Sequence, residues 1–273
     1  MGAGMALNFH KAGRLHRIWN RTLEKAQTIA EQTGVTIASS PEELAGECEL
    51  VLTCVSRDED VLEMIERIAA VLTTGKVVVD TSTTSSGTAR RAAAILDDKG
   101  VHFLDSPVSG GVEGARNGTL AMMVGGDEQV LGQLLPVLGA IARNIVHIGP
   151  VGSGQACKAV NQIMCAGINQ AVTEALAFGE GMQLDMDRVI DVVATGAAGN
   201  WFLQHRGKTM VAGVFKPGFK VSLHHKDLEI CTNMSVKPLP LCDMTLGHYQ
   251  RLMDSGHGDE DISSLYRLKR PGK

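Results

Sequence analysis

The feature that most constrains this chain is a change of rhythm at Gly149-Pro150. Before it, short apolar runs alternate with stretches of helical period; after it, only the helical period remains. The runs predict strands at Leu15–Trp19, Val35–Ala38, Leu50–Val55, Val77–Asp80, Val101–Leu104, Leu120–Val124 and Ile145–Ile148. Between them the periodicity predicts helices at Leu23–Thr33, from Ser40-Pro41 onward, and at Val61–Leu72, Ser86–Asp98, Val112–Arg116 and Glu128–Ile141. Thr22 and Ser40 are the expected N-caps of the first two. A nearly continuous apolar run such as Leu50–Val55 suits a strand covered on both faces. Strands and helices alternating with short joins predict an α/β fold built on a doubly wound parallel sheet.

Past Pro150 the pattern predicts a long helix over Ala156–Glu180, then helices at Met186–Ala194, Trp201–Val211, Val221–Ser235 and Pro240–Asp254, with no convincing strand. The expected organisation is therefore an α/β domain over 1–150 and an all-α domain over 151–273. A length of 273 residues agrees with two cores rather than one. The 31 glycines and the 4 % aromatic content fit glycine-rich strand-to-helix turns around aliphatic strands.

Charge and cysteine content exclude several classes. A formal net charge of −4 argues against nucleic acid as partner. No apolar run approaches a membrane span, and the N-terminus lacks the charged and apolar regions of a secretory signal, so a cytoplasmic protein is expected. The six cysteines form no CxxC pair and the nine histidines no metal-ligand spacing, so reduced thiols and no metal are expected. His224-His225 is the only adjacent histidine pair, and a helix surface accounts for it as well as a site does.

Four segments carry candidate chemistry. Met1-Gly2-Ala3-Gly4-Met5-Ala6 has the form of the second half of a G-x-G-x-x-G dinucleotide fingerprint, with Gly2 as its third glycine; a flexible N-terminus is the competing reading. Asn20-Arg21-Thr22 follows the expected second strand, where an acidic residue would bind a ribose hydroxyl. An arginine there suits a ribose 2′-phosphate instead, which favours NADP, while a solvated arginine at a helix start is the alternative. Asp105-Ser106-Pro107-Val108-Ser109-Gly110-Gly111 follows a strand and offers a hydroxyl and side-chain-free amides to an anion; a loop without a ligand is the plain alternative.

The fourth segment is Gly152-Ser153-Gly154-Gln155-Ala156-Cys157-Lys158-Ala159-Val160-Asn161-Gln162. Lys158, Asn161 and Gln162 stand at i, i+3 and i+4 and share one helix face. Burial of Lys158 beside a cofactor would lower its pKa towards the working range of a general acid or base. Lys226-Asp227 reads, from spacing alone, as a surface ion pair. Thr81-Ser82-Thr83, after the strand ending at Asp80, suits either the edge of a cofactor crevice or a helix cap.

Together these residues resemble the β-hydroxyacid dehydrogenase family, which includes 3-hydroxyisobutyrate dehydrogenase, tartronate semialdehyde reductase and the glyoxylate/succinic semialdehyde reductases. The resemblance spans essentially the whole chain. It is most specific at Asp105–Gly111 with Ala115, Gly118 and Leu120, at Gly152–Gln162, and at Lys226-Asp227.

The resemblance implies a Rossmann-like domain followed by a helical substrate and dimerisation domain, assembled as a homodimer or homotetramer. It implies hydride transfer between NADP(H), or NAD(H) as the alternative, and a small carboxylate-bearing hydroxy acid or semialdehyde. Lys158 matches the catalytic lysine. Ser109, Gly110 and Gly111 match the substrate-carboxylate loop, and Asn161 a substrate-positioning asparagine. Gly2, Asn20, Arg21, Thr22, Val55, Ser56, Thr83 and Lys226 match cofactor-side positions. The departure is the start of the chain, which lacks the family's first strand and first two glycines. Either Met1 is an internal methionine of a longer protein, the reading adopted, or the chain is an impaired cofactor-binding or scaffold protein of the same fold.

Overall fold

The computed structural model describes residues 1–270. Their backbone contacts divide into two compact units, Met1–Lys158 and Ala159–Lys273. In chain order the first unit contains α1 (Gly2–Lys11), β1 (Arg17–Ile18), α2 (Leu23–Thr33), β2 (Thr36–Ile37), α3 (Pro41–Gly46), β3 (Leu50–Thr53), α4 (Asp58–Ala69), β4 (Val77–Asp80) and α5 (Ser86–Asp97). Next come β5 (His102–Asp105), β6 (Val108–Ser109), α6 (Gly111–Asn117), β7 (Leu120–Gly125), α7 (Glu128–Leu138), β8 (Ala142–Gly149) and the start of α8 (Ser153–Gly181). The first unit runs to Lys158 because the first turn of α8 is bonded to the sheet, as described below.

The main sheet has six strands. β3, β4 and β5 are parallel, β7 runs antiparallel to β5 and β6, and β8 runs parallel to β7. The doubly wound sheet is thus parallel over one half and mixed over the other. Connection length explains this. A parallel crossover needs about a dozen residues or more; the ten residues between Ser109 and Leu120, α6 included, are too few, so β7 returns antiparallel to β6, whereas the sixteen between Gly125 and Ala142, α7 included, bring β8 round parallel to β7. β1 and β2 are shorter than the apolar runs suggested and pair in parallel as a two-stranded sheet of their own.

Two apolar layers cover the sheet. One gathers Met5, Phe9, Val79, Leu104, Leu120, Met122, Leu138 and Ile141; the other gathers Val61, Ile65, Ile68, Val78, Ala92, Leu96 and Phe103. Val78 and Val79 are both fully buried on opposite faces of β4, as a strand covered on both sides requires. Ser40, Ser85 and Asp127 cap α3, α5 and α7 through side-chain acceptors. Thr22 occupies the N-cap position of α2 but makes no side-chain cap bond.

In the second unit α8 continues, followed by α9 (Met186–Ala194), α10 (Trp201–Val211), α11 (Val221–Met234), α12 (Pro240–Asp254) and a 3₁₀ segment, Ile262–Leu268. Its core includes Leu176, Ile190, Met210, Leu228, Cys242, Tyr249, Leu265 and Tyr266. Among the described residues this unit has no strand, only an isolated bridge between Lys220 and Asp261. Among the described residues of either unit, no helix is long and apolar enough to cross a membrane.

Candidate functional site

The parallel register puts Thr53, Asp80 and Asp105 level with one another at the carboxyl ends of β3, β4 and β5. Backbone groups emerge from a sheet there without further strand partners, so polar side chains must satisfy them. Thr53 Oγ1 and Ser82 Oγ each donate to Asp80 Oδ1 at 2.7 Å, and Val55 N–H donates to Ser82 Oγ at 2.9 Å. Asp80 is 1 % exposed, and this burial pushes its carboxyl above the usual range against the two hydroxyl donors and the Ser82 N–H, which donates to Oδ1 at 3.2 Å.

Asp105 is fully buried, and it meets α8. Its Oδ1 accepts Gly152 N–H at 2.7 Å and its Oδ2 accepts Gln155 N–H at 2.9 Å. Gly152, the residue before the 29-residue α8, has no side chain to cap the helix, so a carboxylate from β5 does so, favoured by the positive end of the helix. Burial raises the Asp105 carboxyl to about 6, while the two backbone donors pull the other way. The turn lies close on the strands. A Cβ at Gly154 would fall 2.4 Å from the Asp105 carbonyl oxygen and 2.5 Å from that of Met123, and one at Gly125 would fall 2.4 Å from Asp105 Oδ1.

Gln155, so held, clamps the loop after β4. Its Nε2 donates to the Ser82 carbonyl at 2.8 Å and its Oε1 accepts Thr84 N–H at 3.0 Å. Half-buried Thr83 lies between these two anchors. Ser86 Oγ donates to the Gly152 carbonyl at 2.7 Å, tying α5 to the same turn. Lys158, one helical turn beyond Gln155, is 6 % exposed.

From Asp105 the chain continues through Ser106 and Pro107 to Ser109, which pairs with Ala121 on β7. Gly110 and Gly111 follow with φ of 122° and 61°. Side chains rarely adopt that conformation, which accounts for the glycine pair. The loop and the lysine helix thus diverge from one residue, Asp105. Gly2 opens α1 with Cys54 as its nearest neighbour, at 3.7 Å from where a Cβ would stand. Gly4 is the glycine that close packing demands, its Cβ position lying 2.9 Å from the Ala115 backbone on α6. Ser56 is exposed and Val55 half-buried. Arg21 and Thr22 are exposed, and Asn20 is half-buried. Arg21 already has anionic partners on α4, Asp60 Oδ1 at 2.8 Å and Glu63 Oε2 at 3.3 Å.

The remaining predicted residues lie in the second unit. Asn161 Nδ2 donates to Gln162 Oε1 at 2.7 Å, and Gln162 Nε2 donates to Asp227 Oδ2 at 2.6 Å. Lys226 Nζ lies 2.9 Å from Asp227 Oδ1. This corrects the surface-pair reading of Lys226-Asp227, since Asp227 is 5 % exposed on the face of α11 that also buries His224, Leu228 and Cys231. His224 is not a surface residue either; it is fully buried, with Nδ1 3.0 Å from Tyr249 Oη and Nε2 3.2 Å from the Gln162 carbonyl.

Asp105 and Gln155 lie inside the sequence motifs, yet the motifs by themselves give neither residue a task. The glycines on either side of Ser153 hint at a close approach of the backbone, but which acceptor closes the helix start is decided by the fold. Among the described residues no group of histidine, cysteine and carboxylate side chains could hold a metal.

Comparison with known proteins covers the whole chain. The family profile for the NAD binding domain of 6-phosphogluconate dehydrogenase matches residues 1–149. The profile for the NAD-binding region of NADP-dependent 3-hydroxyisobutyrate dehydrogenase matches residues 152–269. An uncharacterised oxidoreductase of Shewanella frigidimarina is 39 % identical over 97 % of this chain and 93 % of its own length. The 2-hydroxy-3-oxopropionate reductase of Escherichia coli is 34 % identical over 88 % of this chain and 82 % of its own. Among solved structures, the 3-hydroxyisobutyrate dehydrogenase of Mycobacterium tuberculosis with L-serine superposes with a TM-score of 0.88 at 33 % identity, covering 99 % of this chain and 96 % of that one.

Proposed function

This chain belongs to the β-hydroxyacid dehydrogenase family of NAD(P)-dependent oxidoreductases, and from that premise we propose that it interconverts a small 3-hydroxy acid and its semialdehyde with Lys158 as the proton donor or acceptor. The observation that carries the reading is local. Lys158 is a nearly buried ammonium on a helix whose first turn is fixed by Asp105, the residue that also begins the Ser109–Gly111 loop.

The first unit fits a dinucleotide. The parallel ends of β3 and β4 carry the small residues Val55, Ser56 and Thr83, and the space beside Gly2 takes no closer neighbour than Cys54. When bound, the nicotinamide supplies or takes up the hydride. The chain's own residues do the rest. Ser109 Oγ and the amides of Gly110 and Gly111 hold the substrate carboxylate, so that its carbon is presented in one orientation. The Lys158 ammonium stabilises charge developing on the reacting oxygen and delivers the proton that makes it a hydroxyl; in the oxidative direction the neutral amine accepts that proton. Asn161, on the same face of α8, orients the substrate, and Lys226, its ammonium paired with Asp227, contributes a cationic contact to the cofactor.

NADP is the preferred cofactor in this reading, because Arg21 with Asn20 and Thr22 offers a cation and donors to a 2′-phosphate, which must compete with Asp60 and Glu63 for the guanidinium. The helical unit is assigned to substrate binding and self-association, giving a cytoplasmic homodimer or homotetramer. Val160, Met164 and Phe178 on α8 are 58–69 % exposed. Gly167, Gln170, Ala171, Glu174 and Phe178 line one groove at helical spacing, a surface suited to a second copy.

The test is oxidation of NADPH and NADH with glyoxylate, succinic semialdehyde, tartronate semialdehyde and methylmalonate semialdehyde, run beside light scattering for assembly. Turnover of at least one acid in the panel is expected. A protein that binds NADPH yet turns over none of them overturns the enzymatic assignment.

A further inference from the structure

We propose that Asp105 is a positioning residue for Lys158, acting as a buried strut that sets where the lysine stands relative to the Ser109–Gly111 loop. The proposal rests on the reading of Lys158 as the proton-transferring group. Asp105 does not need to touch substrate to matter, because it touches the backbone of the turn that carries the lysine.

Three observations converge on this role. First, both carboxylate oxygens are committed to α8, one to Gly152 N–H at 2.7 Å and one to Gln155 N–H at 2.9 Å. A bidentate grip on two points of one turn fixes its rotation as well as its distance. Second, the turn is pressed onto β5 and β7 so closely that neither Gly125 nor Gly154 has room for a methyl group. The carboxylate therefore works across a contact with no slack, in which a displacement of the turn is passed on to the next one. Third, the same grip orders Gln155, whose amide fixes both ends of the loop around Thr83. Ser86 adds an independent tie to the Gly152 carbonyl.

Two features named in the sequence, the Asp105–Gly111 loop and the Gly152–Gln162 helix start, are thus one device. The glycines of the second motif make room for the carboxylate of the first, and Lys158 follows Gln155 at the i+3 spacing that keeps both on one face. An ordinary N-cap from Gly152's own position would stabilise the helix equally but would leave its placement against β5 undetermined.

Asp105→Asn tests this with the least change of shape. The amide retains one acceptor and turns a donor towards the second backbone N–H, so the turn loses one of its two holds. With the holoenzyme, expressed per mole of bound NADPH so that unfolded protein does not count, kcat is expected to fall about 100-fold, the scale of an ångström misplacement. KM for the acid and Kd for NADPH should each stay within about threefold of the parent. The milder Ser86→Ala removes one hydroxyl from the same turn and should lower kcat about fivefold with the same split; it answers the question if Asp105→Asn does not fold. Unchanged kcat in the folded variant overturns the proposal. So does a parallel worsening of kcat, KM and Kd, which marks Asp105 as general scaffolding. Lys158→Ala is run alongside. If that variant keeps normal turnover, the reading of Lys158 itself fails, an outcome distinct from either result at Asp105.

Discussion

The two units of this molecule bury polar side chains to different ends. In the first, Asp80, Ser82, Asp105 and Gln155 cluster where parallel strands stop and a helix begins. In the second, Asn169, His224 and Tyr249 tie α8, α11 and α12 together in the middle of a helical core, with Asn169 Nδ2 donating to Tyr249 Oη at 3.0 Å and to the Ile262 carbonyl at 2.8 Å. Helices satisfy their own backbone, so the second network mainly brings rigidity and specificity of packing. A sheet edge and a helix start leave open groups at one place, and the side chains that close them are held still beside whatever binds there. The comparison teaches that burial and polarity alone do not mark a site; attachment to strand ends is what sets the first network apart from the second.

The sharpest way to break this contrast is to remove one charge or amide from each side. Lys158→Ala should lower kcat by about 10²–10⁴-fold, the usual yield of general acid–base catalysis, and leave the urea midpoint close to that of the parent. Asn169→Ala should do the opposite. It removes two buried hydrogen bonds, to Tyr249 Oη and to the Ile262 carbonyl, at a cost of about 0.5–1.5 kcal/mol each, while kcat per folded enzyme is retained. A variant that lowered both quantities together would erase the distinction.

A third effect comes from the two buried carboxylates of the first unit. The Asp105 carboxyl is raised from 3.8 to about 6 in the folded protein, so between those values the folded state binds more protons than the unfolded chain. Its contribution is fully favourable below about pH 4 and is lost as pH rises towards about 6, a change of about 3 kcal/mol. Asp80, also raised by burial, has the same sign. Urea midpoints measured across this window should show the slope, and Asp105→Asn should flatten it; an unchanged slope in that variant would assign it to other groups. The smallest structural effect is expected at Arg21. Arg21→Gln should leave the unfolding midpoint unchanged, because exposed ion pairs contribute little, yet shift the ratio of kcat/KM for NADPH over NADH at least about tenfold towards NADH if a 2′-phosphate binds there. An unaltered ratio would move that contact elsewhere.

The element order was largely legible from the residues. Apolar runs such as Val77–Asp80 and the period of Val61–Leu72 announce strand and helix without knowledge of any neighbour, because those patterns are themselves the record of which faces are buried. The glycine pair at 110–111 was legible for a similar reason, since only a residue without a Cβ takes their positive φ without strain. The antiparallel turn of β7 was less so. The brevity of the α6 connection foreshadows it, but only strand pairing decides it.

Periodicity and spacing, then, determined by themselves the two-part architecture, the lysine-bearing helix face and the glycine loop, because each is a property of neighbouring residues in the chain. Folding alone decided that the Asp105 carboxylate closes the start of α8, 47 positions away from Gly152 and 50 from Gln155. Folding alone likewise decided that Asp227 and His224 are interior and that Arg21 already has carboxylates for company. Those are matters of which distant groups meet in space, and a buried charge or an open amide takes its partner from wherever the packing of the core brings one within hydrogen-bonding distance.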